Sequence, residues 1–567
     1  MTVHPWLKSY PPGVKWDTPL TTGPVYGILD GAVAKFPQKP ATDFMGKILT
    51  YRELDDLVNR AAKGFRALGV GPGVHVGLFL PNTPHYVISF FGILKAGGTV
   101  VNYSPLDAMR VLEHKVEDSE TDIMVTLDLK ALYPQASELL KTTRLKKLVI
   151  GSLTDVLPFP KNWLFPIFKR GEIARVPNDI HHVRFKKLVA NDGRFQAEPV
   201  TDPAETLAVL QYTGGTTGLP KGAMLTHANL TAATSMYHIG NTGDEPTLVE
   251  GEERILAVLP LFHIYALQIN MLVAMRFGAE MVLHPRFELD AVIRDLEAKK
   301  PTMFPGVPTM FTAIVNYPGI DKLDLSSLKF CASGGAPLPV EIGEKFEKLT
   351  GCRLAEGWGM TETSPAGVST PIHRPSKPGS CGVPMAGIEI KFVDVDDATR
   401  TLPMGERGEI CIRGANVMKG YWKNPEATAE SFTEDGYFRT GDVGYMDDEG
   451  YMYIVDRTKD MILCGGFNVY PRNIEEAIYQ HPSVEEVSVI GIPDDYRGQA
   501  PKAFIKLKAG AAGFTLDELK AFLKDKLGKH EMISAMDIRA ELPKTLVGKL
   551  SKKELYEEEE KKRQAAA

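Results

Sequence analysis

The first part of the chain alternates between helix-like and strand-like patterns of apolar residues. The segment TYRE (50–53) has the spacing of a capping box, and the apolar residues after it recur at helical spacing. They predict a helix with one buried face that closes near Gly69. A packed helix is predicted over 86–98, and buried strands at 75–82, 99–105, 122–128 and 145–151. Strands that alternate with helices favour parallel sheets in layers.

The pattern changes twice toward the C-terminal end. From about residue 380, short apolar strands separated by glycine turns predict a smaller β-rich unit. After DRTK (456–459), strand patterns are followed by a second capping box, TLDE (515–518). We therefore expect an α/β fold. A large multi-subdomain N-terminal part (1–457) would hold layered α/β sheets and a small β-rich subdomain, and a small mobile α+β domain (458–567) would follow.

Residues 255–275 contain no charged side chain. The length of this run suits a membrane span. However, Pro260, His263, Gln268 and Asn270 lie within it, where lipid would leave polar groups unpaired. We expect a buried segment of a large core instead.

A second apolar segment, FPKNWLFPIFKRGE (159–172), mixes aromatic and basic residues. Its two prolines argue against a regular helix. The favoured interpretation is a surface insertion packed on the core, because amphipathic periodicity is absent. The alternative is a patch that contacts a membrane surface.

Composition narrows the class of protein. The chain has 567 residues, with 44% hydrophobic and 24% charged residues, which is typical of a globular protein of more than one domain. Its net charge of −6 lacks the basic footprint of a nucleic-acid binder. The five cysteines have no zinc-binding spacing, and the first residues lack the pattern of a secretory signal. Free thiols in a reducing, cytoplasmic compartment are expected.

The segment YTGGTTGLPKG (212–222) is the strongest candidate for an anion-binding site. Small residues let the backbone curl around an anion, while threonine hydroxyls, backbone N–H groups and Lys221 supply donors and charge. It is not a Walker A loop, because no Gly-Lys-Ser/Thr follows the required four-residue gap. A flexible linker is the alternative, and the clustered glycines and the PKG ending argue against it.

Further motifs follow in the order SGGAP (333–337), GWGMTE (357–362), TGD (440–442), DRTKD (456–460) and PKTLVGK (543–549). Together with the loop, they resemble the adenylate-forming superfamily of acyl-CoA synthetases, luciferases and peptide-synthetase adenylation domains, over about residues 25–555. The text around EGWGMTETSP (356–365) and PLFHIYALQINMLVAM (260–275) is most similar to bacterial long-chain fatty-acid CoA ligases. Plant-type aryl-CoA ligases share text like PLFHIYAL.

The resemblance implies a nucleotide site built from three groups of residues. They are the loop residues Thr213, Gly214, Gly215, Thr216, Thr217, Gly218 and Lys221; the adenine-side residues Gly335, Ala336, Pro337, Trp358, Gly359, Met360 and Thr361; and the ribose or phosphate ligands Asp442 and Arg457. Trp358 stands where the family usually has tyrosine, and its flat ring can stack on adenine. An ionised Asp442 only accepts hydrogen bonds, which suits two ribose hydroxyls.

The remaining roles also come from the resemblance. Mg²⁺ is expected near Glu362 and Thr213, because a carboxylate beside a triphosphate is repulsive unless it holds a cation. His263 is placed beside the substrate carboxylate and the α-phosphate, with the surrounding uncharged run as the wall of the acyl site. Lys549 would neutralise charge during adenylation. A hinge is expected at Lys459, and Gly465 and Gly466 would line the pantetheine tunnel.

The implied activity is ATP-dependent ligation of a medium- to long-chain fatty acid to coenzyme A through an acyl-adenylate. A dicarboxylic or aryl acid is the alternative substrate, and Gln268 or Asn270 at the floor of the site would favour a second carboxylate. A peptide-synthetase unit would need an acidic anchor that PLFHIYAL lacks. Luciferase-like side activity and a non-catalytic acyl- or nucleotide-binding protein remain alternatives. We also expect peripheral contact with the inner face of a membrane. The protein is expected to be a monomer or a homodimer.

Overall fold

The computed structural model describes residues 4–213, 220–336, 338–371, 377–464, 467–494, 496–545 and 550–566. In chain order, the strands are β1 (Pro40–Phe44), β2 (Lys47–Thr50), β3 (His75–Leu78), β4 (Thr99–Asn102), β5 (Ile123–Leu127), β6 (Lys147–Gly151), β7 (His182–Arg184), β8 (Leu207–Thr213), β9 (Lys221–Thr226), β10 (Arg254–Ala257), β11 (Glu280–Leu283), β12 (Met303–Gly306), β13 (Phe330–Ser333), β14 (Leu354–Trp358), β15 (Val368–Ser369), β16 (Val383–Pro384), β17 (Glu389–Val393), β18 (Gly408–Arg413), β19 (Phe438–Met446), β20 (Met452–Arg457), β21 (Ile462–Cys464), β22 (Phe467–Val469), β23 (Val484–Asp494), β24 (Gly498–Leu507) and β25 (Ala535–Arg539).

The α-helices are α1 (Tyr26–Lys35), α2 (Tyr51–Ala67), α3 (Pro84–Lys95), α4 (Met109–Asp118), α5 (Tyr133–Thr142), α6 (Leu153–Val156), α7 (Lys161–Phe168), α8 (Phe185–Leu188), α9 (His227–Ile239), α10 (Ile264–Ala266), α11 (Ala274–Arg276), α12 (Leu289–Lys299), α13 (Pro308–Val315), α14 (Val340–Thr350), α15 (Pro425–Glu430), α16 (Pro471–Tyr479), α17 (Leu516–Leu523) and α18 (Lys552–Ala566). A π-helix spans Leu267–Val273. Short 3₁₀ turns include Thr361–Thr363 and Thr458–Asp460.

Two large, mainly parallel sheets form the centre of the molecule. One has the strand order β7-β6-β5-β3-β4-β8-β9, and only its β8–β9 pair is antiparallel. The other has the order β16-β15-β14-β13-β12-β10-β11-β1-β2, with antiparallel pairs at its two ends. A four-stranded antiparallel sheet, β17-β18-β19-β20, and a five-stranded sheet, β22-β21-β24-β23 with β25 beside β24, follow them. The expected α/β class, with a smaller β-rich unit, is confirmed.

The described hydrophobic residues form separate cores. One continuous core extends from Trp6 to Met452 and covers both large sheets and the four-stranded sheet. The five-stranded sheet has its own core against α16 and α17, and a small cluster that includes Leu555 of α18 lies apart from it. The boundary at 457/458 and the mobility of the C-terminal domain stay predictions.

Two helices and four strands lie where local sequence patterns predicted them. Thr50 and Glu53 form the capping box at the start of α2, with both reciprocal hydrogen bonds made. A second capping box, between Thr515 and Glu518, opens α17. The four predicted strands correspond to β3, β4, β5 and β6. Nearly continuous burial along these strands explains their apolar runs, since parallel sheets are covered on both faces.

One local prediction was wrong. Residues Lys161–Phe168 form a helix although Pro166 lies inside it. Pro166 removes only one backbone N–H donor from the helix. The helix ends at Phe168, so little of it follows the proline. No side chain of this helix is fully buried. The segment is therefore a surface helix, packed through one side only.

The uncharged run 255–275 is buried, as expected. It follows β10 from the centre of the nine-stranded sheet and continues through α10, the π-helix and the start of α11. No helix in the described part of the chain is long and apolar enough to cross a membrane. π-Helical turns are rare and occur often at functional sites.

The amide of Asn82 connects the two large sheets. Asn82 follows β3, and its Nδ2 donates to the carbonyl oxygens of Ala257 at 3.1 Å and Leu259 at 2.8 Å. Its Oδ1 accepts from the backbone N–H of Leu261 at 2.7 Å. The side chain is buried. One side chain therefore bonds three backbone groups of the uncharged run, and two of them, the Leu259 carbonyl and the Leu261 N–H, depend on it, since the Ala257 carbonyl also accepts from the backbone N–H of His284.

We expect Asn82→Leu to lower the free energy of unfolding by about 3 kcal/mol or more, because each unsatisfied buried backbone group costs about 1–3 kcal/mol. Urea denaturation followed by tryptophan fluorescence measures the change. Thr83→Val is the matched control. Thr83 is equally buried, and its hydroxyl has no hydrogen-bond partner among the described residues. An equal loss of stability in both variants would contradict the role of Asn82.

Candidate active site

Strands β8 and β9 hold the two ends of the predicted phosphate loop. Thr213, the last residue of β8, pairs directly with Lys221, the first residue of β9. The Lys221 ammonium lies 5.2 Å from the centroid of the Tyr421 ring, within reach of a cation–π contact. Gly214, Gly215, Thr216, Thr217 and Gly218 lie outside the described residues.

Tyr421 also reaches the predicted metal ligand. Glu362 lies in the 3₁₀ turn Thr361–Thr363, and its Oε1 accepts a hydrogen bond from the Tyr421 hydroxyl at 2.8 Å. Burial raises the pKa of the Glu362 carboxyl, while the bond from Tyr421 lowers it. The structure thus brings Lys221 and Glu362 to one tyrosine, although they are far apart in sequence.

The described residues contain no group of three or more His, Cys, Asp or Glu side chains that could hold a metal ion by themselves. A cation at Glu362 would therefore take most of its ligands from elsewhere. Mg²⁺ suits this arrangement, because it is commonly bound through one or two carboxylates, phosphate oxygens and water. The buried carboxylate fits such an ion, since a cation would favour its charged form.

A second buried carboxylate, Asp442, lies where three elements meet. Trp358 at the end of β14 donates its Nε1–H to Asp442 Oδ2 at 2.8 Å. Arg457 at the end of β20 is directly opposite Asp442 in the β19–β20 register, with its Nε 3.2 Å from Oδ1. Asp442 in turn raises the pKa of the arginine. The three residues that the sequence predicted near the nucleotide are therefore in direct contact.

The glycine-rich segments around these residues show why glycine is required at two positions. A Cβ on Gly359 would lie 1.9 Å from the carbonyl oxygen of Pro365, so only glycine fits there. Gly335 has a φ of +83°, a left-handed conformation that favours glycine. Ala336 is half-buried beside it, and Pro337 lies outside the described residues. The backbone N–H of Met360 donates to the Thr363 hydroxyl at 3.0 Å.

His263 lies at the start of α10. Its Nδ1 accepts from the backbone N–H of Tyr265 at 3.3 Å. The Tyr265 hydroxyl donates to the carbonyl of Ala332 at 3.1 Å, and its ring is in van der Waals reach of Gly334. The turn of His263 is thereby held against the glycine-rich segment after β13.

A buried network fixes the backbone immediately before His263. The Tyr86 hydroxyl lies 2.8 Å from the Leu261 carbonyl and 2.7 Å from Asn102 Oδ1. Asn102 Nδ2 donates to Gln211 Oε1 at 2.9 Å, and Gln211 Nε2 donates to the Phe262 carbonyl at 3.0 Å. Gln211 belongs to β8, two residues before Thr213. The strand that leads to the predicted phosphate loop and the start of the predicted acyl wall therefore share one hydrogen-bond network.

The remaining predicted residues lie on the C-terminal side of β20. Lys459 lies in the 3₁₀ turn after Arg457, where burial and the nearby Arg457 charge lower its pKa. The Thr458 hydroxyl beside it donates to the Gly441 carbonyl at 3.1 Å. Gly465, Gly466 and Lys549 lie outside the described residues. The roles of all these residues stay predictions.

Sequence reasoning missed the partners that hold the site. Tyr421 lies 59 positions from Glu362, and no local pattern connects them. Asn416 is buried and donates to the carbonyls of Thr363 and Ala366 at 2.7 and 2.6 Å, which fixes the turn that carries Glu362. One such partner could have been found from the sequence, because Asn102 is a polar residue in the apolar strand TVVN.

Comparison with protein families identifies the chain. The family model described as AMP-binding enzyme matches residues 29–422, and the model described as AMP-binding enzyme C-terminal domain matches residues 473–549. The chain belongs to the AMP-binding enzyme family. The predicted resemblance to adenylate-forming enzymes is therefore confirmed.

Individual relatives of this AMP-binding enzyme cover nearly its whole length. It is 40% identical to the long-chain-fatty-acid–CoA ligase of Bacillus subtilis (strain 168), over 98% of each chain. It is 35% identical to a feruloyl-CoA synthase of an Amycolatopsis species, over 92% of this chain and 96% of that protein. The crystal structure of the anthranilate CoA ligase AuaEII with anthranoyl-AMP superposes with a TM-score of 0.84 at 26% identity, covering 98% of this chain and 100% of that one.

We expect Trp358→Phe to raise the KM for ATP by roughly tenfold with a smaller change in kcat. Phenylalanine keeps a flat ring but removes the hydrogen bond to the Asp442 carboxylate, and bonds to charged groups contribute about 1.5–3 kcal/mol. Steady-state kinetics with varied ATP measure this. Trp16→Phe is the matched control, because the Trp16 indole donates to the carbonyl of Ile388, a backbone group. Unchanged ATP kinetics in Trp358→Phe would contradict a positioning role for the indole N–H.

We expect Tyr421→Phe to move the acid limb of the pH–rate profile to higher pH. Glu362 must be ionised to hold a cation, and the Tyr421 hydroxyl lowers its pKa. Losing that bond raises the pKa further. Tyr437→Phe removes a similar bond to Glu389 on the four-stranded sheet and should leave the profile unchanged. A profile that does not move in Tyr421→Phe would mean that Glu362 does not titrate in catalysis.

Proposed function

We propose that the protein ligates a fatty acid to coenzyme A in two steps, with release of AMP and pyrophosphate. The observation that carries this proposal is the placement of Lys221, Glu362, Trp358, Asp442 and Arg457 in two clusters, each around one buried carboxylate. The full-length similarity to a long-chain-fatty-acid–CoA ligase supports the same reaction. ATP and coenzyme A are co-substrates.

In the first step, a carboxylate oxygen of the fatty acid attacks the α-phosphorus of ATP. The bond between the α-phosphorus and the bridging oxygen breaks, and pyrophosphate leaves. Asp442 accepts hydrogen bonds from the ribose hydroxyls, and the Trp358 ring stacks on adenine. Lys221 and Lys549 balance the growing negative charge, so catalysis is mainly positioning and charge neutralisation. Glu362 and Thr213 would hold Mg²⁺, which would supply further positive charge.

In the second step, the thiol sulfur of coenzyme A attacks the acyl carbonyl carbon. The bond to the adenylate oxygen breaks, AMP leaves, and the thiol proton passes to solvent. We place the boundary of the moving domain at 457/458, with a hinge at Lys459. Rotation there withdraws Lys549 and brings Gly465 and Gly466 to the site, where a backbone without side chains leaves room for pantetheine.

The residues of the uncharged run bear on which class of acid the protein uses. The buried run 255–275, with its π-helix, supports an apolar acyl wall that ends near His263. Gln268 is partly satisfied, because its Nε2 donates to Thr234 Oγ1 at 2.8 Å while its Oε1 has no hydrogen-bond partner among the described residues. Asn270 is different. It is fully buried, and neither side-chain atom has a hydrogen-bond partner among the described residues.

Buried polar groups are usually satisfied, so Asn270 favours a second candidate, an acid with a polar far end such as a dicarboxylic acid. Similarity to the feruloyl-CoA synthase keeps aryl acids as another candidate. We also propose peripheral contact with the inner face of a membrane, as a monomer or a homodimer.

A substrate screen tests the proposed function. The full chain is incubated with ATP, Mg²⁺, coenzyme A and one acid at a time, and acyl-CoA is measured. The acids are short to long monocarboxylic acids, the matching dicarboxylic acids, and ferulate. We expect the highest kcat/KM for medium- to long-chain monocarboxylic acids. A preference for dicarboxylic acids or ferulate would contradict the acyl class. Absence of acid-dependent ATP–pyrophosphate exchange would contradict the reaction and favour a non-catalytic binding protein.

We expect Lys549→Ala to lower acyl-adenylate formation by at least about 100-fold, since one transition-state charge contact contributes a few kcal/mol. Conversion of supplied acyl-adenylate and coenzyme A to thioester should remain within a few-fold of wild type. Single-turnover assays separate the two half-reactions. Lys553→Ala is the control, because that exposed lysine lies on the same terminal segment. Equal loss in both half-reactions would contradict the hinge.

A further inference from the structure

The surface at α7 presents large apolar side chains to solvent. Trp163 and Ile167 are four residues apart, which places them on one face of the helix, and they are 69% and 59% exposed. Phe159, two residues before the helix begins, is 83% exposed. Phe168 next to them is 76% exposed, and Met45 from the β1–β2 turn is 47% exposed. We call these five residues the α7 surface. Exposed apolar residues are common singly, but a contiguous group of this size indicates an interaction site.

The side of α7 that carries Leu164 and Phe165 anchors the helix, and the exposed Met45 and Phe168 lie at the edge of this side. Phe165 packs against the main core, and Leu164 is half-buried beside it. The Lys161 ammonium donates to the carbonyl of Met45 at 2.9 Å, which joins the helix to the β1–β2 turn. Because these contacts hold α7 in place, the apolar side chains on its outer face are not needed for packing.

The charge of the chain segment that contains α7 is opposite in sign to that of the whole chain. The segment 153–187 has seven basic and three acidic residues, whereas the chain carries a net charge of −6. All seven basic side chains are exposed: Lys161, Lys169, Arg170, Arg175, Arg184, Lys186 and Lys187. A partner with an apolar interior and an anionic surface would complement this arrangement.

We propose that the α7 surface docks on a bilayer that contains anionic phospholipids. The inference rests on the peripheral membrane contact proposed above and identifies the surface that makes it. Trp163, Phe159 and Phe168 would enter the boundary between headgroups and acyl chains, and Lys169 and Arg170 would meet lipid phosphates. A fluid bilayer needs no matching groove to accept side chains that project this far.

A second copy of the chain fits the surface less well. Fully exposed aromatic side chains contribute about 150–250 Å² each, so these partly exposed groups offer roughly 600 Å². A stable interface buries about 800 Å² per partner. The excess of positive charge would also repel the same segment of another copy across a two-fold axis.

Docking at this place would serve the proposed reaction. Long-chain fatty acids partition into bilayers because of the hydrophobic effect, so the substrate is concentrated there. The protein would bind the bilayer reversibly, because one short apolar helix with nearby basic side chains gives only a modest membrane affinity.

Vesicle sedimentation with the full chain tests the proposal. The vesicles are phosphatidylcholine alone, or phosphatidylcholine with phosphatidylglycerol. We expect the wild type to sediment with the anionic vesicles and to dissociate as salt increases. Trp163→Ser with Ile167→Ser should lower the partition coefficient by at least about tenfold. Lys169→Glu with Arg170→Glu should remove the preference for anionic vesicles.

Tyr496→Ser is the matched control, because Tyr496 is an aromatic residue outside this segment and its side chain is also largely exposed to solvent. It should bind vesicles like the wild type. Tryptophan emission gives a second readout, because Trp163 is the one exposed tryptophan of the five. A blue shift on adding anionic vesicles, absent from Trp163→Phe, supports insertion of this side chain.

Three results would overturn the proposal. They are a wild type that does not sediment with either vesicle, equal binding by the Trp163→Ser, Ile167→Ser variant, and a concentration-dependent dimer that this variant abolishes. Octanoyl-CoA formation from soluble octanoate is measured in parallel for each protein. Loss of vesicle binding with normal octanoyl-CoA formation concerns only docking, whereas no octanoyl-CoA in the wild type contradicts the ligase reaction.

Discussion

The two large sheets depend on a few buried amides and one buried hydroxyl that hold a single stretch of backbone. Residues 258–262 continue from β10, whose last residue Ala257 still pairs with β11, and Asn82, Tyr86 and Gln211 bond to backbone groups of this stretch. Asn102 connects Tyr86 to Gln211. Unpaired buried backbone groups are costly, so this network fixes where the uncharged run begins. It therefore also fixes the relative position of the two predicted substrate regions.

The candidate site keeps two carboxylates buried by giving each one a directional neutral donor. The Tyr421 hydroxyl binds one oxygen of Glu362, and the Trp358 indole binds one oxygen of Asp442. Each donor orients the carboxylate and leaves its full negative charge for a cation or a hydroxyl-bearing ligand. Arg457 is half-exposed and forms an ion pair with Asp442, and its charge also lowers the pKa of Glu362. One cation therefore acts on both carboxylates.

Much of the fold could be predicted because its signals are local. The capping box at Thr50 and the apolar runs of β3 to β6 depend on neighbours within a few residues. The candidate site residues could be named from co-ordered motifs, but the contacts among them could not. Asp442 and Trp358 are 84 positions apart, and Tyr421 is not in any motif. Contacts between residues so far apart in sequence form when separate sheets pack together. A local sequence pattern does not predict that packing.

Two apolar segments show why hydrophobicity alone does not predict burial. The run 255–275 follows β10, an interior strand with neighbours on both sides, so protein surrounds it. Helix α7 lies in the connection between β6 and β7, and β7 is the edge strand of its sheet. Within α7, Phe165 packs against the main core, whereas Trp163 and Ile167 stay exposed. The excess of basic residues in the segment 153–187 distinguishes α7 from a buried segment of the core.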